Sequence, residues 1–155
     1  TGEHTFSPDA DTTRGTLITI LYSLEENPSA GNPDFSDVTS DDWYGKAAAW
    51  AAEKGIMGGY PDGTFGPNDP VTREQIASIL YSYAKYKGYD VSGHGELSGF
   101  TDQNQVHDWA AAAMGWATAE GLISGMGGGI LAPQSSTTRA QAAVILMNFC
   151  EKIAK

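Results

Sequence analysis

Three threonine–arginine pairs are the residues of this chain best suited to bind a charged group. The chain has three arginines, Arg14, Arg73 and Arg139, and each directly follows a threonine at the start of a helical pattern. We therefore predict that the threonine is the N-cap and the arginine the first helical residue. A cation there faces the positive end of the helix dipole, which costs roughly 0.3–1 kcal/mol at an exposed site.

This unfavourable placement, repeated three times, has two interpretations. A helix N-terminus with unpaired N–H groups and a guanidinium forms a good site for a carboxylate, so the arginines could capture an acidic group of a ligand. Alternatively, each arginine could pair with an Asp or Glu of a neighbouring segment and tie the segments together. The two roles are compatible, and the acidic surplus of the chain leaves the second one open.

The tryptophans indicate that the arginines belong to an internal repeat. Trp43 and Trp50 recur as Trp109 and Trp116 at a spacing of 66 residues, and Arg73 recurs as Arg139 at the same spacing. A backward shift of 59 residues places Arg73 on Arg14. We interpret residues 1–155 as one domain built from repeats. These are a half repeat 1 at 1–26, repeat 2 at 35–87 and repeat 3 at 100–153.

Each whole repeat reads as a helix, a glycine-rich loop and a second helix. The first helices are predicted at 42–54 and 108–120, with Asp42 and Asp108 as N-caps and a glycine ending each one. The second helices begin at the Thr-Arg pairs, with the capping-box partners Gln75 and Gln141. Apolar residues of the second helices recur in one register: Leu17, Ile20, Leu21 and Leu24; Ile76, Ile79, Leu80 and Tyr83; Ala142, Ile145, Leu146 and Phe149.

These stripes predict an all-α fold in which three second helices pack together, with the two first helices outside them. Strand content should be low, with short extended pieces around Phe35 and Phe65. Trp50 and Trp116 lie among alanines and are predicted to be core residues. Cys150 lies on the apolar side of its helix and is predicted to be buried, and as a single cysteine it excludes an internal disulfide.

Other residues near the arginines could complete a binding groove. Trp43 and Trp109 stand at helix starts, where they could stack on a sugar ring or serve only in packing. Tyr60 and the glycines Gly58 and Gly59 would allow a ligand to approach the backbone, or simply form the turn.

Several functional classes are disfavoured by composition and motifs. The net charge of −10 argues against nucleic acid, and no apolar run is long enough for membrane insertion. The segment from Asp62 to Glu74 resembles a calcium loop only weakly, since Arg73 stands where the bidentate acid belongs. The histidines have no metal-ligand spacing, and no catalytic motif is recognisable, so we expect no metal, no cofactor and no enzyme activity.

The repeat resembles the S-layer homology family. Repeat 2 carries nearly the whole motif of that family: Phe35-x-Asp37-Val38, Trp43, Ala48, Ala51, Gly55-Ile56, Gly59-Tyr60-x-Asp62-Gly63-x-Phe65-x-Pro67, Val71-Thr72-Arg73-Glu74 and Leu80. Repeat 3 keeps a shorter version: Phe100, Asp102, Trp109, Gly121-Leu122, Pro133 and Thr138-Arg139-Ala140-Gln141. The resemblance covers almost the whole chain.

The resemblance implies a pseudo-threefold bundle of repeats that anchors an exported bacterial protein to the cell wall or S-layer. The implied partner is an acidic secondary cell-wall polysaccharide, often pyruvylated, bound in grooves between repeats. The resemblance also implies that this chain is part of a larger extracellular surface protein. The residues that match the family's binding positions are Arg14, Arg73, Arg139, Trp43, Trp109, Gly58, Gly59, Ser124 and Gly125.

The chain departs from the family motif in two places, and these departures decide which groove we expect to bind the ligand. Repeat 1 lacks its first helix within this sequence, and repeat 3 replaces the Tyr-Pro-Asp-Gly-Thr-Phe turn by residues 126–131. We therefore rank the groove of Arg14 with Trp43 first and the groove of Arg73 with repeat 3 second. The alternative functions are a protein-interaction or self-assembly module and, with less support, a fragment of a glycan hydrolase.

Overall fold

The computed structural model describes residues 10–154, and within that range the chain forms α-helices joined by long loops. The helices are α1 (Arg14–Leu24), α2 (Gly45–Glu53), α3 (Arg73–Lys87), α4 (Ala111–Ala119) and α5 (Arg139–Lys152), with 3₁₀ turns at Gln103–Gln105 and Asp108–Ala110. β-Structure in the described residues is limited to isolated antiparallel bridges, which pair Asp11 with Thr138, Thr13 with Pro70 and Thr72 with Ser136. The all-α prediction is confirmed, while the extended pieces expected around Phe35 and Phe65 take no part in these bridges.

The chain divides into two compact units whose boundary falls inside repeat 2. One unit is Thr12–Pro70, and the other is Val71–Lys155 together with Thr1–Asp11. In the first unit α1 packs on α2, and in the second α3 packs on α4. Each packed pair therefore joins the second helix of one repeat to the first helix of the next repeat.

The predicted starts of the second helices are confirmed. Thr72 Oγ1 accepts a hydrogen bond from the Gln75 N–H at 3.2 Å, and Gln75 Oε1 accepts from the Thr72 N–H at 3.0 Å. Thr138 and Gln141 form the same reciprocal capping box. Thr13 caps α1 by accepting from the Thr16 N–H, without the second half of the box. All three arginines are consequently the first residues of their helices.

The predicted starts of the first helices are wrong by about one turn. Helix α2 begins at Gly45 rather than at 42, and the Asp42 carboxylate accepts from the Thr39 N–H within the preceding turn. Asp108 belongs to a 3₁₀ turn, and α4 begins only at Ala111. An Asx-type bond to a nearby N–H competes with capping, so a lone aspartate before an alanine run marks a turn as readily as an N-cap.

The core of each unit is centred on a tryptophan of the first helix. Trp50 and Trp116 are both fully buried, as predicted. The Trp50 ring contacts Tyr22 of α1 with a centroid distance of 5.5 Å, and the Trp116 ring contacts Tyr81 of α3 at the same distance. Small alanines around each tryptophan let the neighbouring helix approach closely enough for these ring contacts.

The apolar stripe of α1 differs from the prediction. Leu17 and Leu21 are buried, but Ile20 and Leu24 are exposed, and Ile18 is fully buried instead. The buried residues of α1 are Arg14, Gly15, Leu17, Ile18 and Leu21, and the contact with α2 includes Tyr22 against Trp50. Ile20 and Leu24 have the predicted apolar spacing but are exposed, so the spacing alone did not predict which residues are buried.

Helix α5 buries less of its surface than its stripe predicts. Ala142, Ile145 and Phe149 are buried, while Leu146 is only partly buried. Cys150 is exposed, so the prediction of a buried thiol is wrong. The reason is that the side of α5 carrying Cys150 has no helix packed against it among the described residues.

We predict that Trp116→Ala lowers the free energy of unfolding by about 3–5 kcal/mol, because it opens a large cavity in the core. Trp109→Ala is the matched control, since the Trp109 side chain is 59% exposed. Chemical denaturation followed by circular dichroism measures both. Equal effects of the two substitutions would contradict the assignment of Trp116 to the core.

Candidate ligand-binding site

Arg14 is held by the loop that follows α2. Its Nε donates to the Phe65 carbonyl at 2.9 Å, and its Nη2 donates to the Gly58 carbonyl at 3.0 Å. The guanidinium also lies over the ring of Tyr60, 4.5 Å from its centroid. With these contacts the residue is only 6% exposed. The arginine thus joins the start of α1 to the glycine-rich loop of repeat 2.

Arg73 makes the equivalent contacts in the other unit. Its Nε donates to the Leu131 carbonyl at 2.8 Å, and its Nη2 donates to the Ser124 carbonyl. Leu131 and Ser124 correspond to Phe65 and Gly58 by the repeat spacing of 66. Equivalent pairs of hydrogen bonds therefore form at Arg14 and at Arg73, although the loop residues that accept them differ in type.

These contacts revise both interpretations of the arginines. The tie between successive repeats exists, but its acceptors are backbone carbonyl oxygens rather than Asp or Glu carboxylates. A guanidinium carries five N–H donors, and the carbonyls use those on one side of it. The remaining donors are the part of each arginine that could meet a ligand.

The helix N-termini themselves are already occupied. The Arg14 N–H donates to the Asp69 carbonyl at 2.9 Å, and the Gly15 N–H donates to the Pro67 carbonyl at 2.8 Å. The N–H groups of Arg73 and Glu74 are bound in the same way, by carbonyls of residues 135 and 133. An anion site built from unpaired helix N–H groups is therefore ruled out at α1 and α3, and the guanidiniums alone remain.

The two guanidiniums differ in their surroundings. Desolvation lowers the pKa of Arg14, opposed by the nearby Tyr60, Asp69 and Asp37. Desolvation also lowers the pKa of Arg73, opposed by Asp102. Arginine remains protonated at neutral pH in either case, so both sites keep a positive charge.

Tyr60 closes one side of the Arg14 site. Its O–H donates to Asp69 Oδ2 at 2.8 Å. Burial raises the pKa of the Tyr60 hydroxyl, and the hydrogen bond to Asp69 adds to this effect. The predicted site residue Tyr60 therefore lies against Arg14, whereas repeat 3 has Met126 at the equivalent position.

An aspartate braces each loop in the shape that the arginine needs. Asp37 accepts from the N–H groups of Phe65 and Gly66 at 2.7 and 2.9 Å. Asp102 accepts from those of Leu131 and Ala132, both at 2.8 Å. Each carboxylate thus fixes the residue whose carbonyl receives the arginine Nε.

The predicted loop glycines have different roles. A Cβ at Gly59 would lie 2.5 Å from the Phe35 ring, and one at Gly125 would lie 2.8 Å from the Phe100 ring. These two glycines are therefore required by packing against an aromatic ring. A Cβ at Gly58 would meet no atom within 4 Å, so this glycine leaves open space beside the carbonyl that binds Arg14.

Trp43 and Trp109 are both largely exposed, at 66% and 59%. Trp43 packs edge-on against its neighbour Tyr44. Trp109 stacks on the His107 ring with a centroid distance of 5.5 Å. Both indoles present surface to solvent, but they are held in different ways.

A polar cluster that the sequence analysis missed holds His107 in place. Glu74, almost fully buried, accepts from the His107 N–H at 3.0 Å and lies 2.6 Å from His107 Nδ1. Gln134 Nε2 also donates to this carboxylate at 3.1 Å. The signal available in the sequence was that the other repeats have a small residue, Gly15 or Ala140, where repeat 2 has Glu74.

Arg139 has different surroundings from the other two arginines. Its N–H donates to the Ala10 carbonyl at 2.8 Å, which matches the Arg14 bond to Asp69. Its side chain is exposed. The residue corresponding to Phe65 is Phe6, which lies outside the described residues.

A cavity of about 390 Å³ opens beside Arg73. Arg73 is the charged residue in its wall, together with the predicted site residues Ser124 and Gly125. The rest of the wall comes from the loop after α4 and from α5, mainly as apolar side chains with two amides: Gly121, Leu122, Ile123, Met126, Ala140, Gln141, Val144, Ile145 and Asn148. Such a cavity fits a small group that combines one negative charge with apolar surface.

Other kinds of site are not found in the described part of the chain. No group of three or more His, Cys, Asp or Glu residues there could hold a metal ion. No helix of residues 10–154 is long and apolar enough to cross a membrane.

Comparison with known proteins decides the family. The model of the S-layer homology domain matches residues 34–77 and 99–143, which together make up more than half of the chain. The chain belongs to the S-layer homology family. This membership places it at the bacterial cell surface, in agreement with the extracellular localisation implied by the motif.

Two of the following relatives match nearly the whole chain and the third about two thirds of it, and all three are much longer than the chain. Exoglucanase XynX of Acetivibrio thermocellus is 35% identical over 95% of this chain, which spans 14% of that protein. Surface-layer 125 kDa protein of Lysinibacillus sphaericus is 32% identical over 96% of the chain, with 12% of the relative covered. Cellulosome-anchoring protein of A. thermocellus is 37% identical over 64% of the chain, with 22% covered.

We predict that the two bracing aspartates make the S-layer homology fold sensitive to acid. Hydrogen bonds from the Leu131 and Ala132 N–H groups lower the pKa of Asp102. Desolvation raises the pKa of Asp37, but the hydrogen bonds from the Phe65 and Gly66 N–H groups still hold it below its ordinary value. Stability from these groups is present at neutral pH and is lost as the pH falls through their folded-state pKa values.

Urea unfolding at a series of pH values from neutral to acidic, followed by tryptophan fluorescence, measures this effect. The double variant Asp37→Asn/Asp102→Asn should be less stable than the unsubstituted chain at neutral pH. It should also lose less stability on acidification. Parallel curves for the two proteins would show that these carboxylates are not responsible.

Proposed function

We propose that this chain is a non-catalytic module that anchors a surface protein by binding an acidic polysaccharide of the bacterial cell wall. The observation that carries the proposal is the cavity beside Arg73, in which one guanidinium faces otherwise uncharged walls. The S-layer homology region also occurs in a relative named a surface-layer protein and in one named a cellulosome-anchoring protein.

The binding step follows from the donors that the loop leaves to Arg73. The Leu131 and Ser124 carbonyls fix the guanidinium plane, so little side-chain entropy remains to be lost when a carboxylate binds. A planar carboxylate matches the remaining N–H groups of the fork, and burial strengthens these charge-assisted bonds. Local donors thus allow an acidic glycan to bind to a chain whose net charge is −10.

The walls of the cavity suit a pyruvate ketal on a sugar. Such a group carries a carboxylate and a methyl group on one carbon, and Arg73 and the apolar side chains would take one each. Val144 and Met126, which line the cavity, are 51% and 53% exposed. Both therefore have surface that a bound glycan could cover.

The groove beside Arg14 is the second site of the proposal. It has the same carbonyl-held guanidinium, with Tyr60 against the guanidinium and the open surface at Gly58. Trp43, which like Tyr60 and Gly58 belongs to repeat 2, is exposed and could stack on a sugar ring. Arg139 and Trp109 are retained as candidates on family resemblance and exposure.

Absence of catalysis is also part of the proposal. The exoglucanase and the surface-layer protein share this segment, although their names describe different roles. A segment common to both is more readily explained by a shared attachment than by a shared reaction. Incubation of the chain with purified wall polysaccharide, followed by analysis for released sugars, should show no turnover.

We predict that Val144→Glu weakens co-sedimentation with purified cell-wall sacculi. The new carboxylate stands in the wall of the Arg73 cavity, where it would repel an acidic ligand and pair with the guanidinium. Loss of one charge-assisted contact corresponds to a rise in apparent Kd of about tenfold or more. Ile20→Glu, at another exposed apolar helix position, is the matched control and should bind normally.

Two further arms of the same experiment identify the chemistry. Arg73→Lys keeps the charge but not the planar fork, and it should also weaken sedimentation. Mild acid treatment of the sacculi removes ketal-linked pyruvate and should reduce binding by the unsubstituted chain. Unchanged sedimentation of both Val144→Glu and Arg73→Lys would overturn the Arg73 site, and unchanged binding to treated sacculi would exclude pyruvate.

A further inference from the structure

Glu74 carries a buried carboxylate that neither arginine site uses. The residue is 2% exposed, and its carboxylate accepts from the His107 backbone N–H at 3.0 Å and from the Gln134 side-chain amide at 3.1 Å. His107 Nδ1 lies 2.6 Å from the same carboxylate. A buried carboxylate is costly unless polar partners satisfy it, and these contacts do so. They also attach the segment around His107 to the first turn of α3.

Trp109 follows two residues later and stacks on the His107 ring. The ring centroids are 5.5 Å apart and the planes are inclined by 17°, so the imidazole covers one face of the indole. Trp109 is nevertheless 59% exposed, which leaves the opposite face of the indole to solvent. Glu74, His107 and Trp109 therefore form a series of contacts from a buried anchor to an exposed ring. We call Glu74 and His107 the Trp109 clamp.

The unit Thr12–Pro70 has a glycine where the clamp has its carboxylate. Gly15 is equivalent to Glu74 by the repeat spacing of 59, and a Cβ on it would lie 3.4 Å from the Tyr44 ring and 3.0 Å from a backbone carbonyl oxygen. The residue equivalent to Tyr44 is Ala110, which is small and fully buried. Large and small residues are thus exchanged between the two positions, and the carboxylate occurs in the unit that has the alanine.

We propose that Glu74 and His107 are positioning residues that hold Trp109 as a platform for the apolar face of a sugar ring in the wall polysaccharide. The proposal rests on the proposed function, because it assigns these residues a role in binding the same polymer. One face of a sugar ring presents mainly C–H groups, and an indole offers a large apolar surface to cover them. An indole that is fixed before binding loses less conformational entropy when the sugar binds.

A double-mutant cycle tests whether His107 acts through Trp109. The measurement is the apparent Kd for co-sedimentation of the full chain with purified cell-wall sacculi. His107→Ala should raise this Kd about two- to tenfold, the change expected when one ordered side chain becomes free to move. Trp109→Ala should raise it further. In a chain that already carries Trp109→Ala, adding His107→Ala should cause no additional loss, because the ring that His107 positions is gone.

Conservative and control variants accompany the cycle. Glu74→Gln keeps an acceptor for the His107 N–H, so it should bind the sacculi better than Glu74→Ala does. Asn104→Ala is the matched control, because Asn104 is an exposed polar residue in the same segment, and it should bind normally.

Iodide quenching of tryptophan fluorescence reports the exposure of Trp109 without any ligand. The chain used carries Trp43→Phe, so that Trp109 is the one exposed tryptophan within residues 10–154; Trp50 and Trp116 are fully buried. Adding His107→Ala should raise the Stern–Volmer constant, because the indole face that the imidazole covers becomes accessible to iodide.

The outcomes separate this proposal from the proposed function. Normal binding by the Trp109→Ala chain, additive losses in the cycle or an unchanged quenching constant would each overturn the positioning role. The proposed function would stand in these cases, because the unsubstituted chain would still bind the sacculi. Absence of binding by the unsubstituted chain would overturn the proposed function and this proposal together.

Discussion

The hydrogen bonds from an arginine side chain to two loop carbonyls are the constraint on which each unit depends. In both units the guanidinium fastens the start of a second helix to the glycine-rich loop of the following repeat. The helix N–H groups bond to further carbonyls of the same loop, and an aspartate fixes the loop from its other side. A cation at a helix N-terminus is tolerable here because these neutral carbonyl dipoles surround it and offset the unfavourable end of the helix dipole.

This constraint explains why the compact units do not coincide with the sequence repeats. A repeat begins with a first helix, whereas each unit contains the second helix of one repeat together with the first helix and the loop of the next repeat. The arginine bonds, the tyrosine–tryptophan contacts and the isolated bridges each join residues from two repeats. A single repeat would therefore bury neither its tryptophan nor its arginine, and neighbouring repeats must stabilise one another.

Local rules made the caps of the second helices and the arginine positions predictable from sequence, because each depends on residues three or four apart, whereas the repeat was visible from spacings of 59 and 66 residues. The ion pairs considered for the arginines could not be tested in this way, because a guanidinium can also donate to backbone carbonyls. Every residue has such a carbonyl, so the sequence does not indicate which one is the acceptor. Asp42 was misassigned because turns and N-caps use the same residue type. Ile20, Leu24 and Cys150 were misassigned because their burial depends on which side of the helix meets a partner. The Glu74–His107 contact joins residues of two repeats, and its one sign in the sequence was that the other repeats have Gly15 or Ala140 where repeat 2 has Glu74.

The two arginine sites show how one backbone frame can carry different surroundings for the same side chain. The carbonyl acceptors are the same at both sites, so sequence variation in the loop changes the surroundings of the guanidinium without moving it. Tyr60 lies against Arg14, whereas the cavity at Arg73 has Met126 in its wall, a flexible side chain that adapts to irregular shapes. Glu74 adds a buried carboxylate next to Arg73 and, through His107, fixes one face of Trp109. The Arg73 site thus has a more adaptable wall than the Arg14 site, and under the proposed function this difference would let the two sites take different substituents of the ligand.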